Sequence, residues 1–321
     1  GRGAEAPAPE RTAVGRTRII AFAATGIGVI GAAVLIYTIN IRPLQESRAL
    51  IDVLKLLSSG ASATAVQVQF ENALSYRTFG DNEVRDQFGN LAFQLFENPN
   101  ITPEEKTKFI MAASAAIEQQ LVIHPAELRA HMFLATLYNR LAAAGNPGFI
   151  DKAKAHTDRA LEISPTRQGI YFMLADNFIL RGDLKSAAAT LEKAVALAPS
   201  FITAQTHLAR IGIKMGDANI PAKAYEDILA NTPEEFHSAT YAASVMQVAD
   251  EFVDVKNIRA AIVWAELAVR INPERAQYRA NLAGLYARIG DKEKAKEHAL
   301  AAAELDPEGF SKQIEEFLKQ L

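Results

Sequence analysis

The sequence predicts an all-α protein, in which one N-terminal transmembrane helix precedes an α-solenoid of helix–turn–helix repeats with a C-terminal capping helix. Two observations predict this fold. Prolines recur at intervals of 40, 34, 34, 40 and 34 residues, and a period near 34 is typical of stacked helix pairs. Residues 19–41 form a run without any charged side chain. The recurring prolines are Pro125, Pro165, Pro199, Pro233, Pro273 and Pro307.

The composition favours a folded chain and offers no signature of catalysis. Of the 321 residues, 49% are apolar and 22% charged, so the chain can bury a substantial core. A net charge of −3 gives no strong attraction to nucleic acid, and we expect no nucleic-acid partner. There is no cysteine, which excludes disulfides and cysteine-ligated zinc. The histidines are scattered without an H-E-x-x-H pattern, so no catalytic residue, metal or cofactor is expected.

The N-terminal part is predicted to be a linker followed by a membrane span. Residues 1–18 are rich in Pro, Ala, Gly and Arg and show no apolar period, as in a flexible basic linker. A helix over 19–41 would cover about 35 Å, against about 30 Å of hydrocarbon. We therefore expect residues 19–41 to lie in a lipid bilayer. A signal peptide is the alternative, but the apolar run is too long and no small-residue cleavage site follows.

A glycine pattern lies inside this span. Residues 26–31 read G-x-G-x-x-G, which can mark a dinucleotide site when a strand precedes it and a helix follows. Within a lipid-length helix, close packing of membrane helices is the favoured interpretation. A partner helix or a second copy of the chain would contact the small residues spaced four apart, Ala24, Gly28 and Ala32.

The charges beside the span indicate its orientation. Four arginines precede it, whereas three basic residues follow it as far as position 55. By the positive-inside rule, this difference of one charge places the N-terminus in the cytoplasm and the repeats outside it.

Residues 42–127 are predicted to form a helical connector. Apolar spacing indicates helices near 44–58, 63–76, 82–97 and 103–123. The last of them ends at Pro125, as the second helix of a repeat would, so we expect a degenerate repeat there. Asp81, Asn82 and Glu83 are expected to begin a helix, as cap and first-turn charges, rather than to act in catalysis.

Residues 128–309 divide into five repeats. In 168–201, apolar and small side chains form the inner face of a first helix, and Gly182 and Asp183 form the turn. Alanines then face back from the second helix before Pro199. The other units are 128–167, 202–235, 236–275 and 276–309.

Two repeats of 40 residues depart from the period. In the first of them, the extra residues are expected to enlarge the turn at 144–148. In the other, they are expected to lengthen the first helix or its turn near 250–254. Residues 310–321 carry apolar side chains on one helical face and are predicted to cap the last repeat, which would otherwise expose its apolar side.

The first helices of the repeats are expected to line a groove. Their residues away from the packing positions have mixed polarity, which suits a protein or peptide partner. The candidate contacts are Thr136, Asn139, Asp176, His207, Arg210, Tyr241, Asn281 and Arg288.

By period and residue pattern, residues 128–309 resemble the tetratricopeptide repeat (TPR) family. The resemblance implies a module for protein–protein interaction. Members that bind chaperone tails use a lysine and asparagine clamp on their first helices. The matching positions here hold residues such as Met132, Thr136, Phe172 and Asp176, which argues against that class of partner.

A wider resemblance covers about residues 16–320. Residues 37–43 read Tyr-Thr-Ile-Asn-Ile-Arg-Pro, residues 73–76 Ala-Leu-Ser-Tyr and residues 83–88 Glu-Val-Arg-Asp-Gln-Phe. A membrane helix, these motifs and then repeats resemble the C-terminal end of bacterial O-antigen ligase/polymerase-like membrane proteins. This implies the accessory tail of a cell-envelope glycan ligase or polymerase, whose transferase activity lies in other sequence. The alternatives are a stand-alone single-pass scaffold and a self-assembling repeat protein.

Overall fold

The computed structural model describes residues 11–231 and 238–321, and every regular element in these ranges is helical. This confirms the predicted fold class. The chain divides into two compact units, one ending at Phe133 and the other beginning at Leu134. Each unit is built from helices that pack against their neighbours along the chain.

The first unit begins with a long continuous helix. Its segments are α1 (Arg11–Ile36), a π-helical turn (Tyr37–Ile41) and α2 (Arg42–Ser58). The side chains of 21–41 are all exposed, and mean hydropathy reaches 2.0. By length and composition, it is the one helix of the described chain that could cross a membrane. Since α1 starts at Arg11, residues 11–18 of the predicted linker are helical, whereas 1–10 lie outside the described residues.

Three further helices complete the core of the first unit. An aromatic stack forms this core: the Phe70 and Phe88 rings lie 4.5 Å apart, and Phe109 meets Phe88 edge-on at 5.0 Å. Thr102 and Glu105 form a capping box, which satisfies backbone donors at the start of a helix. The helices are α3 (Ala63–Ser75), α4 (Asp81–Glu97) and α5 (Pro103–Ile123). As predicted, the acidic cluster at 81–83 begins α4.

Helix pairs form the second unit. α6 crosses the boundary between the two units, and a short 3-10 turn (Pro147–Phe149) precedes α7. The helices are α6 (Leu128–Ala143), α7 (Ile150–Ile163), α8 (Gln168–Leu180), α9 (Leu184–Leu197), α10 (Ile202–Met215), α11 (Asn219–Asn231), α12 (Ala239–Asp254), α13 (Ile258–Ile271), α14 (Ala276–Arg288), α15 (Lys292–Leu305) and α16 (Pro307–Leu318). In α16, Ile314 is buried and packs with Ala283 and Ala299 of the last pair.

The two longer repeats differ in where they place their extra residues. The 3-10 turn enlarges the connection after α6, as predicted, whereas residues 250–254 are helical and so lengthen α12. The turn after α12 contains Lys256, whose φ of 61° is left-handed. Gly182, Gly216 and Gly290 take the same conformation in the other turns, where glycine adopts it without steric cost. Pro233, one of the recurring prolines, lies outside the described residues.

The helices of a pair approach closely because small residues lie between them. Ala187 in α9 and Ala295 in α15 are completely buried. Gly212 in α10 shows how close this approach is, since a Cβ there would lie 2.6 Å from the Cβ of Ile220 and 2.9 Å from the Cδ of Pro221. Pro221 itself lies near the start of α11, where proline is tolerated.

This close approach predicts that Gly212→Ala destabilises the second unit. The new methyl group has to displace the start of α11, and overpacking of this kind costs about 1–3 kcal/mol. Gly284→Ala in α14 is the matched control, because no atom lies within 4 Å of its new Cβ. The control should raise stability by up to about 1 kcal/mol through helix propensity. Urea unfolding of the full chain in detergent measures both changes, and equal effects of the two would contradict the packing.

Candidate functional site

The first helices α6, α8, α10, α12 and α14 form one surface of the second unit, which we call the first-helix face. Side chains connect each of these helices to the next. The Asn139 amide in α6 donates to the Met173 carbonyl in α8, and Phe172 in α8 contacts His207 in α10. α10 in turn packs against α12, and a pocket lies between α12 and α14. All eight predicted groove residues lie on these helices.

Three of the predicted residues meet in a pocket between α8 and α10. Asp176, His207 and Arg210 line a cavity of about 120 Å³. The remaining lining residues are Ala175, Ile179, Leu191, Ile211 and Lys214. The pocket therefore combines an apolar floor with ionisable groups, as ligand sites commonly do.

The electrostatics of this pocket are unusual for a surface. Asp176 is accessible to solvent yet recessed among the atoms of α8 and α10, and loss of hydration raises its pKa from 3.8 to about 6. The positive charges of Arg140 and Arg210 oppose this increase without cancelling it. Burial and the charge of Arg210 lower the pKa of His207, so its ring is neutral at pH 7. Asp176 makes no hydrogen bond or ion pair within the described residues.

Arg210 has a structural partner. Its Nε and Nη2 donate to Glu251 Oε1 in α12 at 3.1 and 2.9 Å, and Lys214 Nζ lies 3.7 Å from the same oxygen. Both members of the Arg210–Glu251 pair are partly buried. Four successive first helices thus carry charges of alternating sign, at Arg140, Asp176, Arg210 and Glu251. The ion pair with Glu251 joins α10 to α12, so Arg210 has a structural role.

A row of aromatic rings borders the pocket. Phe172 lies 5.2 Å from the His207 ring and 6.4 Å from Phe201, and Phe201 meets Tyr241 edge-on at 5.9 Å. Tyr241 is half-buried. We did not predict Phe201 as part of the site, because it lies just before α10 and not within a first helix. The equivalent cap positions of α8, α12 and α14 hold Arg167, Ser238 and Arg275, so no recurrent signal in the sequence identifies it.

A second pocket, of about 330 Å³, lies between α12 and α14. It brings together the predicted Asn281 and Arg288 with Asp250, which the sequence analysis placed only in a lengthened helix or turn. Burial raises the pKa of Asp250, and the neighbouring charges of Asp254 and Glu251 raise it further. The remaining lining residues are Met246, Val253, Ala280, Gly284 and Leu285.

Asn139, one of the predicted groove residues, is buried between helices. Asn139 is only 6% exposed, and its Nδ2 donates to the Met173 carbonyl at 2.9 Å while its Oδ1 accepts from Asn177 at 3.2 Å. Asn177 also donates to the Ile150 carbonyl in α7. The Asn139 amide therefore holds helices together and is not presented to a partner. Thr136, one turn earlier, is half-buried.

The small residues of α1 remain exposed. Ala24, Gly28 and Ala32 are exposed, and among the described residues no atom lies within 4 Å of a Cβ placed at Gly28. The predicted contact with a partner helix stays a prediction. Among residues 11–231 and 238–321, no three histidine, aspartate or glutamate side chains form a group that could hold a metal ion.

Stacked helix pairs with a continuous first-helix face define an α-solenoid. A family profile described as tetratricopeptide repeat matches residues 169–201 and 276–308. These residues are the α8–α9 and α14–α15 pairs, so two of the helix pairs match the sequence profile of this repeat. No curated protein sequence matches the chain.

Several solved structures are similar to this chain. A tetratricopeptide repeat protein from Parabacteroides merdae ATCC 43184 is 13% identical over 85% of this chain and 97% of that one, with a TM-score of 0.49. PilF of Pseudomonas aeruginosa is 17% identical over 75% of this chain and 100% of its own, with a TM-score of 0.42. YrrB, described as a TPR protein with an unusual peptide-binding site, is 15% identical over 65% and 100%, with a TM-score of 0.38.

The raised pKa of Asp176 predicts a pH-dependent stability. The folded state binds the proton more tightly than the unfolded state, so the contribution of Asp176 to stability falls as the pH rises from about 4 to about 6. Asp176→Asn should therefore raise the unfolding free energy at pH 7.5, by about 1 kcal/mol after solvent screening, and should change it little at pH 4.

Thermal unfolding at the two pH values measures this difference. Glu192→Gln, which removes an exposed carboxylate on α9, is the control and should have the same small effect at both. An equal effect of Asp176→Asn at pH 4 and pH 7.5 would show that the carboxylate is not desolvated.

Proposed function

We propose that the chain is a membrane-tethered interaction module that binds a peptide or loop of a partner protein on the first-helix face. The observation that carries the proposal is the desolvated Asp176 in its pocket. Its raised pKa means that the ionised carboxylate is unfavourable there, and it has no hydrogen-bond or ion-pair partner among residues 11–231 and 238–321. Ionisable groups with perturbed pKa values cluster at functional sites, which supports a role in ligand binding.

The first-helix face offers complementary groups for a peptide. Asp176 can accept a hydrogen bond from a backbone N–H or from a basic side chain, and the Asn281 amide can both donate and accept. Apolar side chains can pack along Phe172, Phe201 and Tyr241, whose rings form the aromatic row. Directional bonds together with apolar contact give affinity for a polypeptide and specificity for its sequence.

The tether is the helix from Arg11 to Ser58. Over 21–41 its side chains are exposed and apolar, and no other part of the described chain covers them. Exposing this much apolar surface to water is unfavourable, and about 30 Å of hydrocarbon would bury it. We infer that residues 19–41 cross a bilayer.

We further propose that the module is the accessory tail of a cell-envelope glycan ligase or polymerase. The resemblance of residues 37–43, 73–76 and 83–88 supports this, and the first two motifs are in contact: Arg42 donates to the Tyr76 carbonyl. Co-purification from native membranes distinguishes the possibilities. A polytopic glycan enzyme that carries this sequence would support the tail, a chain of this size with a separate partner would indicate a stand-alone scaffold, and the chain alone in large assemblies would indicate self-assembly.

Peptide binding predicts a defined response to mutation. Peptides selected from a displayed library of 12-residue sequences on the full chain in detergent should bind at least about tenfold more weakly to Asp176→Asn and to Tyr241→Ala, since each loses about 1.4 kcal/mol or more. Lys193→Ala, an exposed change on α9, should leave affinity unchanged. Fluorescence polarisation measures these affinities. If all three variants bind like the parent chain, the peptides do not use the first-helix face.

If residues 19–41 cross a bilayer, the chain should stay bound to lipid vesicles when they are washed with alkaline carbonate. The double change Ile27→Asp and Ile30→Asp should abolish this binding, because each aspartate near the centre of a membrane helix costs about 2.5–3.5 kcal/mol. Leu54→Asp is the control, since Leu54 is exposed but lies beyond the span. Flotation in a density gradient reports retention. A double variant that floats like the parent would overturn the tether.

A further inference from the structure

The loop between α3 and α4 carries one of the most exposed aromatic side chains of the first unit. Phe79 is 81% exposed, whereas Phe70 and Phe88, on either side of it in sequence, are only 1% exposed. Exposing an apolar ring of this size to water is unfavourable in free energy compared with burying it. The position of Phe79 in the fold indicates which environment its ring contacts.

Two hydrogen bonds hold this loop beside the N-terminal end of α2. The Arg42 guanidinium donates to the Tyr76 carbonyl, and the Thr78 hydroxyl donates to the Glu46 carboxylate. Glu46 is only 2% exposed. Gly80 lies so close to it that a Cβ there would be 2.6 Å from Glu46 Oε2. The loop is therefore fixed to the long helix at the level of residues 42–46.

This level corresponds to the lipid headgroups. Arg42 is the first charged residue after the apolar run 19–41, and Glu46 follows about 6 Å further along the helix axis. The headgroup layer on each side of the hydrocarbon is about 5–7 Å thick. If residues 19–41 cross the bilayer, a loop held at Arg42 and Glu46 lies in that layer.

Arg77 in the loop and Tyr37 near the end of the apolar run suit this environment. Arg77 is exposed and cationic, and Tyr37 on the long helix is 49% exposed. Arg77 also has a φ of 50°, a left-handed conformation that non-glycine residues rarely adopt. Aromatic and basic residues are enriched at membrane interfaces, where apolar rings reach the acyl boundary and cations contact phosphates.

We propose that the loop 76–80 is a second membrane contact, in which Phe79 enters the interfacial layer of the bilayer that residues 19–41 cross. This proposal rests on the proposed tether. The contact would fix the orientation of the first unit relative to the bilayer, since a helix and a loop beside it together resist tilting that a helix alone permits. Lipid is the favoured occupant because it surrounds a single membrane helix at this level.

Site-directed spin labelling tests the proposal directly. The chain contains no cysteine, so Phe79→Cys gives a single site for a nitroxide on the full chain, reconstituted in vesicles of phosphatidylcholine and phosphatidylglycerol. Oxygen concentrates in the membrane and a nickel chelate in water, so the ratio of their relaxation effects measures depth. Leu54→Cys is the matched control, because this exposed residue lies about 20 Å beyond the span along the same helix. Ile30→Cys reports the tether itself.

The expected result is a deep label at position 30, an interfacial label at 79 and an aqueous label at 54. A deep label at 30 with an aqueous label at 79 would overturn the loop contact and leave the tether intact. An aqueous label at 30 would overturn both. A label at 79 that neither oxygen nor nickel reaches would mean that protein covers the loop, which overturns the lipid contact in favour of a partner chain or a second copy.

Discussion

The close approach of paired helices is the constraint on which the second unit depends. Ala187 and Ala295 are fully buried, and Gly212 leaves no space for a methyl group beside Ile220. A single helix pair cannot bury its apolar side alone, so each pair depends on contact with the next. Because small residues take up this packing, most outward positions of the first helices are not needed for contact within a pair, although Asn139 and Arg210 join one first helix to the next. Those positions are free to hold polar and aromatic groups for a partner.

Two adjacent polar residues of α8, Asp176 and Asn177, lie in contrasting environments. Asn177 is completely buried, and its amide is bonded to Asn139, to Arg181 and to the Ile150 carbonyl. Asp176, one position earlier, faces the pocket and has no such bonds. Buried polar groups that support a fold are normally satisfied. Asp176 remains accessible to solvent, and its raised pKa indicates that its ionised form is poorly stabilised, which a donor group of a bound ligand could improve.

In the first unit, a cluster of polar side chains joins the long helix to the helices that follow it. Glu46 accepts from Thr78, Thr78 N donates to Asp81, and Arg85 forms an ion pair with Asp81 at 3.3 Å. Burial raises the pKa of Glu46, and Asp81 nearby raises it further. This cluster joins the long helix to the start of α4 across more than 30 residues of sequence. Whatever holds the helix, a bilayer in our proposal, therefore also positions the aromatic core of the first unit.

The sequence by itself determined the helices and most turns, because apolar spacing, glycine and proline act within a few residues. The predicted helix 63–76 is α3 within one residue, and the Gly182 turn lies where it was predicted. Only the tertiary structure decided that Asn139 is buried, since its environment depends on how closely α8 approaches. It alone also brought Phe201 to Tyr241 and the loop at 76–80 to Arg42. These contacts join residues that are far apart in sequence, and no local pattern specifies which side chains then share a pocket.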